Sequence, residues 1–191
     1  LHADHLLLGW GLGAYRFEHY LAKTDMPRLH SEGHSAQALA MLDASVRIRD
    51  WINLPTEDMG PEHLQTAVFD AALAFNGKAE AIIGDDLLIH NLPTIHAVGR
   101  ASHRAPRLLR LDWGDATHPH VVLCGKGLCF DTGGLDIKSA EGMRHMKKDM
   151  GGAAHALGLA RMIMQCRLPV RLTLLIPAVE NAIAGNAFRP G

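Results

Sequence analysis

With 191 residues, 48% of them hydrophobic, the chain has enough apolar side chain for one packed core and part of a second. A formal net charge of -1 offers no basic surplus to a nucleic acid or an anionic membrane, so neither is expected as a partner. Three cysteines are too few for a disulfide framework, and the sequence shows neither a membrane-length apolar run nor a signal peptide, which together predict a soluble, cytoplasmic protein.

Residues His5 to Lys23 carry Leu8, Leu12 and Tyr15 at helical spacing, against Gly9, Gly11 and Gly13, each costing about 1 kcal/mol relative to alanine. Thr24 to Gly33, with Pro27, has the composition of a connection. Leu39, Leu42 and Val46 predict a helix running to the break at Pro55. Residues 1–33 are thus the expected end of an N-terminal domain with its linker, 34–53 a connecting helix, and 54–191 the first part of a second domain. Both chain ends, at Leu1 and at Arg189-Pro190-Gly191, are expected to be cut ends of a longer protein.

Thr56 to Pro61 reads as a turn. Leu64, Val68, Ala71 and Phe75 then mark one face of a helix closed by Asn76-Gly77. A short strand is expected at Ala79 to Ile83, and Asp85 to His103 has a helical start interrupted by Pro93. Arg107 to Trp113 and Val121 to Cys124 read as strands that form a hairpin or an adjacent pair across the polar turn Gly114 to His120. Ala153, Ala156, Leu157, Ala160, Ile163 and Met164 predict an amphipathic helix from near Gly151 to before Pro169, and Leu172 to Ile176 a buried strand. Strand, helix and strand in that order predict an α/β fold with a crossover connection.

The chemistry gathers in VVLCGKGLCFDTGGLDIKSAEGMRHMKKDMGGAAHA. Here a strand leads into glycine turns bearing Lys126, Asp131, Lys138 and Asp149, and open α/β sheets bind ligands beyond the carboxyl ends of their strands. Taken singly, Lys126 with Asp131 is an ordinary ion pair. As a cluster, Asp131 and Asp149 can converge on hard cations such as Mg, Mn or Zn, and two dications about 3.5–4 Å apart can activate a water and polarise a carbonyl. A lysine ligand must be a neutral amine, and bringing a lysine from its reference pKa of about 10.4 to below 7 costs about 4–5 kcal/mol. Burial beside two cations can supply that. Lys138 could instead stay charged and bind a developing oxyanion.

Other readings carry less. Gly125-Lys126-Gly127 lacks the full spacing of a phosphate-binding loop. Asp136 is a rival carboxylate in the same loop. Cys124 and Cys129 read as core thiols at strand edges, and the thirteen histidines are scattered, with His145 and His155 nearest the cluster. Lys147-Lys148 reads as a solvated face, and Met146 as core or as the wall of an apolar substrate pocket.

These residues carry a resemblance. GKGLCFDTGGLDIKSAEGMRHMKKDMGGAA resembles the GKG-x-x-FDSGG-x-x-x-K…M-x-x-DM-x-GAA block of the leucyl (cytosol) aminopeptidase family, the M17 di-metal peptidases. PAVENAIAGNAFRPG is similar to that family's later ENM-x-x-G-x-A-x-(R or K)PG segment, and the likeness extends back through IRDWINLPTEDMGPEHL to GWGLGAYRFEHY. Steps of five, seven and eleven residues between Lys126, Asp131, Lys138 and Asp149 match in full. Thr132 replaces the usual serine, and Lys148 and Ile183 also depart from the pattern.

The resemblance implies part of an α/β/α sandwich with a mixed sheet, residues 54–191 being the first part of the catalytic domain. It implies a metal-dependent enzyme that removes apolar, leucine-like N-terminal residues from peptides, assembled as a homohexamer. By it Lys126 and Asp149 bind one metal, Asp131 bridges both, Lys138 helps polarise the scissile carbonyl, and Met146 lines the pocket for the N-terminal side chain. The cofactors implied are two divalent ions, Mn2+ or Zn2+. The family's NTDAEGR motif, with two further acidic ligands and an arginine that holds a bicarbonate base, is expected beyond Gly191, so the chain would carry part of the site. The alternative is a catalytically inactive homologue serving as a scaffold.

Overall fold

The apolar run Leu172 to Ile176 becomes the centre of a five-stranded mixed sheet. In the computed structural model, which describes residues 2–22, 25, 27, 29–30 and 32–191, this run lies in β5 (Arg171–Asn181), where Leu172, Leu174, Ile176 and Ala178 are fully buried. Strand β2 (Arg107–Trp113) runs antiparallel along one edge of β5, and β1 (Lys78–Ile83) runs antiparallel to β2. Along the other edge, β3 (His120–Cys124) and β4 (Gly127–Asp131) pair in parallel with successive halves of β5.

The expected hairpin of β2 and β3 therefore does not form: β5 is inserted between them. A strand buried on both edges is supplied from far along the sequence, so the local turn at Gly114 to His120 gave no sign of it. Strand β4 is also new relative to the sequence reading, in which Gly125 and Gly127 suggested turns.

One face of the sheet is covered by helices. Leu64, Val68 and Ala71 of α3 (Pro61–Phe75) and Ala153, Leu157, Ala160 and Met164 of α7 (Gly151–Gln165) pack against Leu109, Leu111, Leu174 and Ile176. Each fully buried leucine-sized side chain contributes about 1.5–3 kcal/mol. Helix α2 (Ala36–Asn53) lies outside α7, where a Cβ on Gly158 would stand 2.5 Å from Ile48 Cδ1. Over the opposite face lie α4 (Asp86–Ile89) and α5 (Pro93–Gly99), whose first residue is the Pro93 that broke the sequence pattern. Val122 there remains 53% exposed and Cys124 is exposed, which corrects the expectation of a buried thiol; Cys129 is buried.

The helix α1 (Ala3–Ala14) ends at Tyr15, short of the expected Lys23, which lies outside the described residues, as do 24, 26, 28 and 31 of the expected connection. Helix α3 closes as the sequence predicted, with Asn76 left-handed at φ 56° and the Gly77 N–H donating to Ala72 O at 2.8 Å. No helix among the described residues is long and apolar enough to cross a membrane.

Candidate metal centre

Lys126 sits in the break where the β3 edge ends and the β4 edge begins. The break is seated on the first turn of α7, because a Cβ on Gly125 would stand 2.7 Å from Ala153 Cα and 2.8 Å from Gly152 O. That approach lets Lys126 O accept the Ala153 N–H at 2.8 Å, satisfying one of the helix's unpaired N-terminal donors. Asp149 is brought to the same place by the 3-10 turn Met146–Met150, which runs directly into α7 and is pinned by the fully buried Met150.

Asp131 ends β4. After it the chain turns through Gly133 (φ 89°) and Gly134 (φ 69°), conformations that glycine adopts without strain. The Lys138 N–H then closes the turn on Thr132 O at 3.0 Å, and a short helix, α6 (Ala140–Met143), begins where the Ser139 hydroxyl accepts the Gly142 N–H.

Four side chains form two ion pairs, in a pairing other than the one the sequence suggested. Lys126 Nζ lies 2.9 Å from Asp149 Oδ2 and donates to Oδ1 at 3.0 Å, while Lys138 Nζ lies 2.9 Å from Asp131 Oδ2. Asp131 Oδ1 accepts the Gly133 N–H at 2.9 Å and the Asn181 amide at 2.8 Å. Burial pushes the Asp131 carboxyl up, but the Lys138 ammonium, the Gly133 N–H and the Asn181 amide outweigh it and hold the carboxyl below its ordinary value. The hydrogen bond to Asp131 raises the Lys138 ammonium, and the charges of Asp131, Asp149 and Asp136 add to it.

The donor chemistry fits a divalent cation in part. Asp149 Oδ2 is buried, and what holds it is the ion pair with Lys126 Nζ at 2.9 Å. A buried carboxylate oxygen demands positive charge, which the ammonium supplies here and a divalent cation would supply in its place. Among the described residues no group of three or more His, Cys, Asp and Glu side chains is placed to hold a metal ion, so two carboxylates and an amine are an incomplete set.

Met146 is half-buried at the start of the 3-10 turn. An apolar cavity of about 280 Å3 borders Lys126, but its walls are Ile95, Val98, Leu128, Pro177 and Val179, without Met146. Asp136, His145 and His155 are exposed. Lys147 differs from the expected solvated face, since its Nζ donates to Asn53 O at 3.0 Å and ties the turn to the end of α2.

Sequence reasoning passed over Asn181, which holds Asp131, and the buried network behind it. Glu180 is fully buried; Arg104 Nη1 reaches its Oε1 at 3.1 Å and Arg189 Nη2 its Oε2 at 2.7 Å. An acidic residue ending an otherwise apolar central strand was the available signal, because a buried carboxylate demands cationic partners.

Residues 46–191 match the cytosol aminopeptidase family, catalytic domain. A curated relative, peptidase B of Pectobacterium carotovorum, is 42% identical over 153 residues, covering 75% of this chain and 35% of its own length. The crystal structure of the cytosol aminopeptidase from Coxiella burnetii superposes with a TM-score of 0.88 at 51% identity, covering 98% of this chain and 41% of that one. The bottromycin maturation enzyme BotP, solved in complex with Mn, superposes with a TM-score of 0.82 at 30% identity over 98% of this chain and 41% of its own. The chain thus spans between about a third and two fifths of the length of the relatives it matches.

Proposed function

The chain belongs to the cytosol aminopeptidase family, and on that premise we propose that the protein carrying it is a metal-dependent aminopeptidase that removes apolar, leucine-like residues from the N-termini of peptides. The observation that supports this most is the paired set Lys126–Asp149 and Asp131–Lys138, two carboxylates and two lysines brought together at the carboxyl end of the β3 and β4 edge. In this reading Lys126, Asp131 and Asp149 would hold two divalent ions, Mn2+ or Zn2+, with Lys126 and Asp149 on one and Asp131 shared. Further ligands come from the part of the protein outside this chain. Once bound, the two ions supply an activated water and a polarised carbonyl.

The chain's own residues prepare that chemistry. The Lys126 side chain is 60% exposed, and so exposed an ion pair is worth about 0–1 kcal/mol, so Asp149 can turn from ammonium to cation at little cost. Lys138 Nζ, 2.9 Å from Asp131 Oδ2, supplies an ammonium beside the reacting carbonyl, where positive charge stabilises the oxyanion that develops. Met146, on the turn that carries Asp149, is proposed to face the N-terminal side chain of the substrate. A homohexamer, a cytoplasmic location and the division at residues 33 and 53 belong to the same proposal.

The test is hydrolysis of leucyl peptides by the full-length protein with Mn2+ or Zn2+. Release of leucine that stops on chelation and returns with metal is expected. Folded, metal-loaded protein that releases none would overturn the reading in favour of an inactive scaffold. The 191-residue chain alone is expected to show no turnover.

A further inference from the structure

Asp131 and Asn181 end neighbouring strands and are direct register partners, but only because of an irregularity. Gly127 pairs with Ala178 and Leu128 with Val179, then the register shifts so that Phe130 pairs with Glu180 and Asp131 with Asn181. Cys129 is the extra residue. Bulges of this kind re-aim a side chain, and here the shift sets Asp131 opposite an amide.

Asn181 is held from two sides. Its carbonyl accepts both the Thr132 N–H at 3.0 Å and the Thr132 hydroxyl at 2.9 Å, which ties it to the residue after Asp131. The preceding side chain points to the other face of the strand, as successive strand residues must. That side chain is Glu180, locked by Arg104, Arg189 and the Ser102 hydroxyl, the last at 2.9 Å from Oε2. Arg104 in turn grips Glu57 at 2.8 Å and Glu62 at 3.2 Å. A carboxylate with every oxygen satisfied, in the interior, leaves the end of β5 little freedom.

We propose that Asn181 is the positioning residue of the metal centre: its amide and the Gly133 N–H fill the acceptor positions of Asp131 Oδ1, so that Oδ2 is the oxygen presented to the cations. The inference rests on the metallopeptidase reading above and adds the residue that orients its bridging ligand. Oδ2 has Lys138 Nζ as its donor, at 2.9 Å, and that ammonium sits at the end of a long flexible side chain, whereas the Gly133 N–H is backbone and the short Asn181 side chain springs from a strand end held by Thr132. Glu180 and its arginines act one step further back, by fixing the strand end.

The test uses the full-length protein with Asn181→Ala and Asn181→Leu, titrated with Mn2+ by calorimetry and melted in the metal-free form. Loss of an outer partner of a metal ligand is expected to weaken Mn2+ binding about 10–100-fold, with metal-free melting shifted far less than Gly125→Ala shifts it. Unchanged Mn2+ affinity in either folded variant would overturn the proposal. So would loss of the fold in both, since Asn181 would then be a residue of the scaffold. Wild-type protein that binds no Mn2+ would sink the metallopeptidase reading and this inference with it, whereas wild-type binding matched by the variants would sink this inference alone.

Discussion

The carbonyl of Lys126 accepts the N–H of Ala153 at 2.8 Å, so the residue whose ammonium grips Asp149 is also a cap of the helix that begins two residues after Asp149. Strand break, 3-10 turn and helix start are thereby one rigid joint. The two lysine-carboxylate pairs sit on it and on the end of β4.

Gly125→Ala should break that joint without touching a charged group. The new Cβ would meet backbone at 2.7 and 2.8 Å, and backbone cannot step aside as a side-chain tip can. Overpacking of this sort costs about 1–3 kcal/mol. Thermal melting should show the loss, and an unchanged melting temperature would mean the contact between Gly125 and α7 is loose.

Glu180→Ala should cost up to about 3–5 kcal/mol, because it removes the buried carboxylate shared by Arg104 and Arg189, although Glu57 and Glu62 still pair with Arg104. Urea unfolding measures this. A double-mutant cycle with Arg189→Ala should give a coupling well above the noise, and additive effects would show that the 2.7 Å contact carries no stability.

Lys138→Met should lower kcat about 10²–10³-fold while changing KM little, as expected for a donor that acts on charge developing in the transition state. Steady-state kinetics on a leucyl peptide at saturating metal separates the two constants. A raised KM with wild-type kcat would assign Lys138 to substrate binding instead.

Acid should weaken the metal-free fold through Asp131. Its carboxyl is held below the ordinary carboxylate value, so its contribution is fully present above about pH 3.9 and is lost as pH falls through the lower, folded value. The Lys138 ammonium is raised, so its contribution is present below about pH 10.4 and lost only on further alkalinisation. Urea unfolding in chelator should therefore give a shallower acid limb for Lys138→Met than for wild type. Identical limbs would place the acid sensitivity elsewhere.

The four charged positions were legible because their chemistry is local: lysines and carboxylates at fixed steps among glycines. Helices α2, α3 and α7 were legible for the same reason, their apolar positions repeating with the helical period. Strand β4 was hidden because Gly125 and Gly127 resemble turn residues, while in space they allow close approach to α7 and to Pro177 O, 2.6 Å from a Cβ on Gly127. The position of β5 between β2 and β3 depends on a partner some fifty residues away, which no turn signal encodes. The Asn181 amide faces Asp131 because of the register shift at Cys129, and Lys126 meets Asp149 because Gly125 seats the strand break on α7; both are visible only once strands and helix are packed.

The central claim is that Lys126, Asp131 and Asp149 gather around a shared pair of cations. Anomalous diffraction from crystals of the full-length protein grown with Mn2+ tests it most directly. The account predicts two Mn2+ peaks, with Lys126 Nζ released from Asp149 and bonded to one of them and Asp131 Oδ2 touching both. Peaks located away from these side chains, with the Lys126–Asp149 ion pair intact, would contradict it.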